Sequence, residues 1–529
     1  MRAPSCVAAR RAVTPPRAAV PVPADAGQSR AVLVDARPAS AVPAPSRRSW
    51  PWPVAAAALA LVVGAVGSLP GAQVLSGPSP AVALPAPAAQ RALPPPAPDP
   101  VRARGGRAAG SAPAADLAAL LQRRSDAVQR RDRGEWLATV DPAAGEFRAE
   151  QAALFDRLLL LPITRWSYQL PDPAGIAAGS VDVQLTYRLS GDPRDTTRQQ
   201  QFALHRSAAG WLMSGASATG PADLWDLGSI AVARGSHSLV IGSASQRTAL
   251  PRFAADADAA AARVDAVWGT GWPRTVVVEV PADPAGMASV LGATGTDGLD
   301  QVAAVTVGDV DATTGSGAGG ADRIVVNAAA FAGFGPMGRR VVLTHEVTHV
   351  ATRADSPVAP PLWLQEGFAD YLAYRGTGLS RGVIAGDVLA LVRAGRTPTH
   401  LPDEADFDPT RARIAPAYAG AWLALDLIAR DGGVARVVAF YRAAAGIRRG
   451  GITGPGSASP ALAAARRGPA VAGLTVSGPD LAMTETIAQS QTQQELRAAF
   501  SHVLAVDQAT FVRRWRAYLV AVAQGSRAP

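Results

Sequence analysis

Residues 341–350 read VVLTHEVTHV, with His345 and His349 four positions apart. On a helix that spacing projects both imidazoles from one face, where they can chelate a single metal ion. Glu346 lies about 100° round the helix from His345 and can reach a water at the metal without being a ligand. Sixteen residues separate His349 from Glu366, which stands in PLWLQEGFADYLAY behind Pro360 and Pro361, a pair suited to a helix start. Two His and one Glu are a known catalytic zinc set, three protein ligands leaving a fourth position for water. Asp370, one turn beyond Glu366 on the same face, can accept the free ring N–H of His345 and fix its tautomer. The plain alternative for Glu366 and Asp370 is two ordinary exposed helix acids.

The residues carrying this pattern, HEVTH at 345–349 and WLQEGFADY at 363–371, resemble the gluzincin metallopeptidases, the group that includes thermolysin and the aminopeptidase N family. The second stretch is similar to the W-x-x-E-G-x-A-x-Y sequence of the aminopeptidase-like branch. The resemblance implies a Zn2+ ion held by His345, His349 and Glu366, with Glu346 as general base and Asp370 supporting His345. It also implies an oxyanion donor, for which Tyr418 in PAYAGAWLALDLIARDGG is the candidate, although the following glycine is one position closer than in that branch. A buried core tyrosine at a helix start is the other reading of Tyr418. His400 is the rival donor by analogy with the thermolysin branch, against the reading of an exposed loop histidine. The spacer between His349 and Glu366 is shorter than is usual in the aminopeptidase N family, and the Gly-x-Met-Glu-Asn element that binds a free amine there is missing. Residues 326–328, Val-Asn-Ala, are the upstream candidate for an edge strand pairing with an extended peptide. Endopeptidase action is therefore the better expectation.

The elements that must hold these residues are those of an α+β fold. In 229–529, apolar runs at 238–242, 275–280, 302–307 and 323–327 predict short strands, and 253–268 a helix. Residues 338–352 carry the first motif on a helix. Residues 415–445 predict two apolar-faced helices broken at Gly432 and Gly433, and 496–522 more helix with Phe500, Phe511, Trp515 and Leu519 inward. Between them, 446–478 is rich in Gly, Ala, Ser and Pro and reads as a flexible loop. An earlier region, 114–228, has helical periodicity at 116–133 and 147–158, then alternating strands through Leu189 and Leu204. This order of helices before an antiparallel sheet resembles the cone-shaped fold of the nuclear transport factor 2-like superfamily. No motif there specifies a function; His205 reads as a strand histidine without a catalytic role.

Charge is unevenly spread over the 529 residues. All 51 basic residues are arginine, and the net charge of +9 is concentrated in residues 1–134, which hold 17 Arg against 6 Asp. The remainder is nearly neutral, which argues against a nucleic-acid partner. One cysteine, Cys6, excludes an intramolecular disulfide. Residues 1–49 read as a disordered cytoplasmic tail, 50–70 as a transmembrane signal-anchor, and 71–113 as a Pro/Ala-rich linker. Arg47 and Arg48 before the apolar run, with no Arg after it until Arg91, place the N-terminus inside and the catalytic region outside the cell membrane. A cleaved signal peptide, giving a secreted protein, and a soluble Ala-rich helix are the competing readings. The expected partner is a peptide or protein substrate outside the cytoplasm; the oligomeric state is not legible. Two rival functions stand beside a peptidase: a catalytically degenerate peptidase fold serving as an envelope binding or sensor protein, and a zinc hydrolase of a non-peptide substrate. The intact Glu346 argues against the first, since a binding relic need not keep the base.

Overall fold

The computed structural model of the protein describes residues 111–525 apart from 171–178, 209, 297, 300–301, 309–320, 409–413 and 448–478. The expected tail and membrane segment, and nearly all of the expected 71–113 linker and 446–478 loop, lie outside the described residues; the last three linker residues, 111–113, begin the first helix. Among the described residues no helix is long and apolar enough to cross a membrane.

The protein is a mixture of helices and two sheets, an α+β architecture. It begins with α1 (Ser111–Arg130), α2 (Arg133–Ala138) and α3 (Gly145–Leu158). Asp132 caps α2 by accepting a hydrogen bond from the Glu135 N–H. There follows an antiparallel meander of β1 (Ile163–Gln169), β2 (Ser180–Leu189), β3 (Thr196–Ser207) and β4 (Gly210–Thr219). Alternation along β2 turns Val181, Val183, Leu185, Tyr187 and Leu189 inward.

The second sheet contains β5 (Ile230–Arg234), β6 (Ser238–Ser243), β7 (Val276–Val280), β8 (Ala304–Val307) and β9 (Arg323–Val326), in the order β5-β6-β7-β9-β8. The inner strands β6, β7 and β9 run parallel, whereas β5 and β8 are antiparallel to their neighbours. The expected edge strand at 326–328 is thus corrected. Residues up to Val326 belong to β9, an inner strand whose Ile-Val-Val run suits burial on both faces, and the edge belongs to β8. Helix α4 (Leu250–Trp268) connects β6 to β7, and α5 (Pro284–Leu291) follows β7. After β9 come α6 (Ala328–Ala332), α7 (Pro336–Asp355), α8 (Leu362–Tyr374), α9 (Arg381–Ile384), α10 (Gly386–Arg393), α11 (Ala415–Ala444), α12 (Pro479–Ala499) and α13 (Gln508–Ala523). The break expected in α11 is present: Gly433 has φ +68°, a left-handed conformation that suits glycine.

Alternation along these strands gives the sheet two buried faces. Val240, Val278, Ile324 and Val326 pack with Val342, Leu343 and Val347 of α7. On the other face, Leu239, Ile241, Val277, Val305 and Val325 share one apolar cluster with Trp136, Phe155, Trp166 and Tyr187. The regions before and after residue 228 therefore bury a common layer. A polar pin crosses the same junction. Asp192, in the β2–β3 turn, accepts two hydrogen bonds of 2.8 Å from the Arg323 guanidinium of β9. Both side chains are almost wholly buried.

Glu279 on β7 lies 3.9 Å from the same guanidinium, and burial pushes its pKa up to about 7 despite Arg323. An unfolded Glu ionises near pH 4.3. Between these values the unfolded chain gives up a proton that the folded chain keeps, so this residue's contribution to stability is fully present below about pH 4 and declines until about pH 7. Melting temperatures measured from pH 4.5 to 7.5 should fall less steeply for Glu279→Gln than for the parent. Parallel slopes would refute that contribution.

Candidate metal centre

Helix α7 is buried nearly all round, with thirteen core residues from Arg339 to Thr352. Two of its threonines tolerate burial by bonding back along the helix: Thr348 Oγ1 donates to the Thr344 carbonyl at 2.7 Å, and Thr352 Oγ1 to the Thr348 carbonyl at 2.9 Å. The neighbouring α8 supplies Glu366 and Asp370. Gly367 sets how closely α8 approaches α11, since a Cβ there would lie 2.8 Å from the Ala421 carbonyl oxygen and 2.7 Å from Leu425 Cδ2. Gly367→Ala should therefore separate these helices, at a stability loss of about 1–3 kcal/mol measurable by denaturant unfolding. An unchanged midpoint would show that the crossing can absorb a methyl group.

The structure brings His345, His349 and Glu366 together as a buried group that can hold a metal ion. His345 Nε2 and His349 Nε2 are 3.0 Å apart, and Glu366 Oε2 is 3.2 Å from the first and 3.6 Å from the second. Ligands about 2.0–2.1 Å from a tetrahedral centre stand about 3.3 Å from one another, so the three atoms are spaced as such a set. Asp370 Oδ1 is 2.9 Å from His345 Nδ1. A proton on Nδ1 donated to this carboxylate leaves the Nε2 lone pair facing the cluster. Glu366 Oε1 and Glu346 Oε1 are buried without a hydrogen-bond partner. Such atoms are costly in a protein interior. Two imidazole nitrogens and a carboxylate oxygen are a donor set that fits a divalent cation.

Electrostatics follow from burial and close pairing. Burial opposes a charged His345, but its hydrogen bonds with Asp370 and Glu366 prevail and raise its pKa well above the usual imidazole value. Burial lowers His349 to about 4. Burial alone would raise Glu366, yet His349 and His345 hold it down at about 2. Glu346 is pushed up to about 7 by burial, against the pull of His345 and Thr306.

Tyr418, on the first turn of α11, is also at this centre, its ring centroid 6.4 Å from that of His345 and 5.1 Å from that of Phe407. Burial, with Glu366, Asp370 and Glu346 nearby, pushes its phenol pKa well above 10, so it is a protonated donor at neutral pH. His400 is placed elsewhere. It is exposed, its Nδ1 lies 2.9 Å from the Leu401 carbonyl oxygen, and it groups with Asp403 and Asp406. His205, on β3, is 2.8 Å from Asp141 Oδ2, remote in sequence from the motif helices.

Two residues that the sequence reading did not single out join the site. Thr306 of β8 donates from Oγ1 to Glu346 Oε2 at 2.6 Å. Arg353, one turn beyond His349 on α7, donates from Nη1 to the Thr306 carbonyl at 3.1 Å and lies 3.5 Å from Asp322. The i+4 position of Arg353 relative to His349 was a signal available in the sequence; Thr306 offered only a polar residue within an apolar run. The chain matches no protein-family model, and its comparison with curated proteins returned no match.

Proposed function

We propose that the protein is a zinc-dependent metallopeptidase of the gluzincin type, closest to the aminopeptidase-like branch and acting as an endopeptidase. The observation that carries this reading is the convergence of His345 Nε2, His349 Nε2 and Glu366 Oε2 beside the Glu346 carboxylate. His345, His349 and Glu366 hold the ion, and Asp370 keeps His345 in the ligating tautomer. Bound there, zinc would supply Lewis-acid chemistry, lowering the pKa of a water toward neutrality and polarising the scissile carbonyl. Glu346 takes the water's proton and passes it to the leaving amine. Tyr418 supplies a protonated hydroxyl for the oxyanion.

The edge strand β8 runs beside the Glu346 carboxylate. Asn327 N–H donates to the Ala303 carbonyl, so the alternation of the antiparallel ladder turns the main-chain groups of Ala304 and Thr306 away from β9. Arg353 takes the Thr306 carbonyl, and Ala304 is itself wholly buried. The helices and four-stranded meander of 114–228 are read as a nuclear transport factor 2-like cone, and 50–70 as a signal-anchor holding the catalytic region outside the cell.

The test is a soluble protein beginning at residue 111, assayed for bound metal and for cleavage of a mixed peptide library. About one zinc per chain and chelator-sensitive cleavage are expected; a metal-free protein, or cleavage indifferent to chelator, would overturn the reading. Hydrolysis confined to esters or amides of non-peptide acids would favour the non-peptide hydrolase. For topology, protease added outside intact cells should digest 135–529, and full protection would contradict the anchor.

A further inference from the structure

We infer that Thr306 is the positioning residue for Glu346: its hydroxyl pins Oε2 of the carboxylate and leaves Oε1 as the oxygen that accepts the proton. This rests on the peptidase reading above and adds to it a contact from the sheet, outside both motif helices. Thr306 is wholly buried on β8, opposite α7. Its oxygen has one hydrogen to donate and two acceptors within reach, Glu346 Oε2 at 2.6 Å and the Glu346 carbonyl at 3.2 Å. The shorter contact goes to the charged group, as expected of a charge-assisted bond. Glu346 Oε1, by contrast, is buried and has no hydrogen-bond partner. The two oxygens of one carboxylate are thereby differentiated. One is fixed to the sheet, and the other is kept for proton transfer.

The position of the hydroxyl is itself held. Thr306 pairs with Ile324 in the ladder, at a site where its own N–H and C=O face away from β9. Nothing in the sheet then holds that carbonyl, and Arg353 does so from α7, with Asp322 beside its guanidinium. The strand and the helix that carries the base are therefore tied twice, once through a side chain and once through main chain. A general base loses rate when its angle to the reacting water is loose, so a residue that fixes this angle acts on turnover and leaves ligand affinity alone.

The experiment compares the full chain with Thr306→Val and Thr306→Ser, each loaded with zinc. Valine keeps the shape and removes the donor; serine restores the donor. Zinc content and KM should stay within about twofold of the parent, while kcat falls roughly 10- to 100-fold in Thr306→Val, the range typical of outer supporting contacts, and returns to within about threefold in Thr306→Ser. An undiminished kcat in Thr306→Val, or a loss that serine does not restore, would overturn the assignment. Crystal structures of the parent and Thr306→Val decide the positioning separately from any peptidase activity: a Glu346 carboxylate turned from its place supports it, and an unmoved one overturns it.

Discussion

Glu346→Gln should bind zinc as the parent does and lose about 10²–10⁴-fold in kcat, the usual contribution of a positioned general base. Glutamine preserves the shape of the side chain and, through its amide oxygen, can still accept the Thr306 hydroxyl. It cannot take a proton from water. The three atoms that converge on the metal position, from His345, His349 and Glu366, are untouched by the change, so zinc content measured by elemental analysis should stay near one per chain. Peptide turnover and metal content together separate the possible roles. Equal kcat in the two proteins would remove Glu346 as the base, and loss of zinc would make it a ligand instead. Because Glu346 is fully buried and its pKa is pushed up to about 7, the neutral variant should be at least as stable as the parent near pH 8. Diminished turnover therefore could not be charged to unfolding.

The parts of this site that were legible in the sequence are those fixed by local geometry. Four residues along a helix put His345 beside His349 whatever surrounds them, and the same rule puts Glu366 and Asp370 on one face of α8. The apolar runs of β6, β7 and β9 were equally legible, because burial on both faces demands them. The order of those strands was not. Ala-Val-Thr-Val and Arg-Ile-Val-Val are both short apolar runs, and only the ladder shows that the first is the edge and the second is inner. The contacts of Thr306 with Glu346 and of Arg353 with Thr306 span 40 and 47 positions, beyond the reach of any periodicity. His400 illustrates the opposite limit: a residue type suited to the chemistry, but exposed, with its Nδ1 beside the Leu401 carbonyl oxygen and grouped with Asp403 and Asp406 rather than with the motif helices. The division at residue 228 was drawn from a change of pattern, and pattern cannot reveal that Trp136 and Val325 lie in one apolar cluster.

Glu366→Ala should weaken zinc binding by well over the roughly 10- to 100-fold typical of losing an outer supporting contact, since it removes a ligand atom outright. What remains, His345 and His349, is a pair of imidazole nitrogens 3.0 Å apart that brings no negative charge. The carboxylate contributes both the third donor and the negative charge that a divalent cation needs in a buried site. The same residue matters to the metal-free fold. Glu366 is held at about 2 by the imidazoles beside it, and deleting one partner of a buried ionic group typically costs about 3–5 kcal/mol. A cavity adds to that loss, so Glu366→Gln is the sharper variant: it fills the space and retains an oxygen but has no charge. Competition against a chelator should rank affinities as parent, then Asp370→Asn, then Glu366→Gln and Glu366→Ala. Melting curves supply an independent scale, because a ligand that binds only the folded chain raises its stability by RT ln(1 + [L]/Kd). Added zinc should therefore shift the parent's melting temperature most and that of Glu366→Ala least. Identical shifts in all four proteins would mean that Glu366 is not a ligand, and that the two histidines complete their site with some other group.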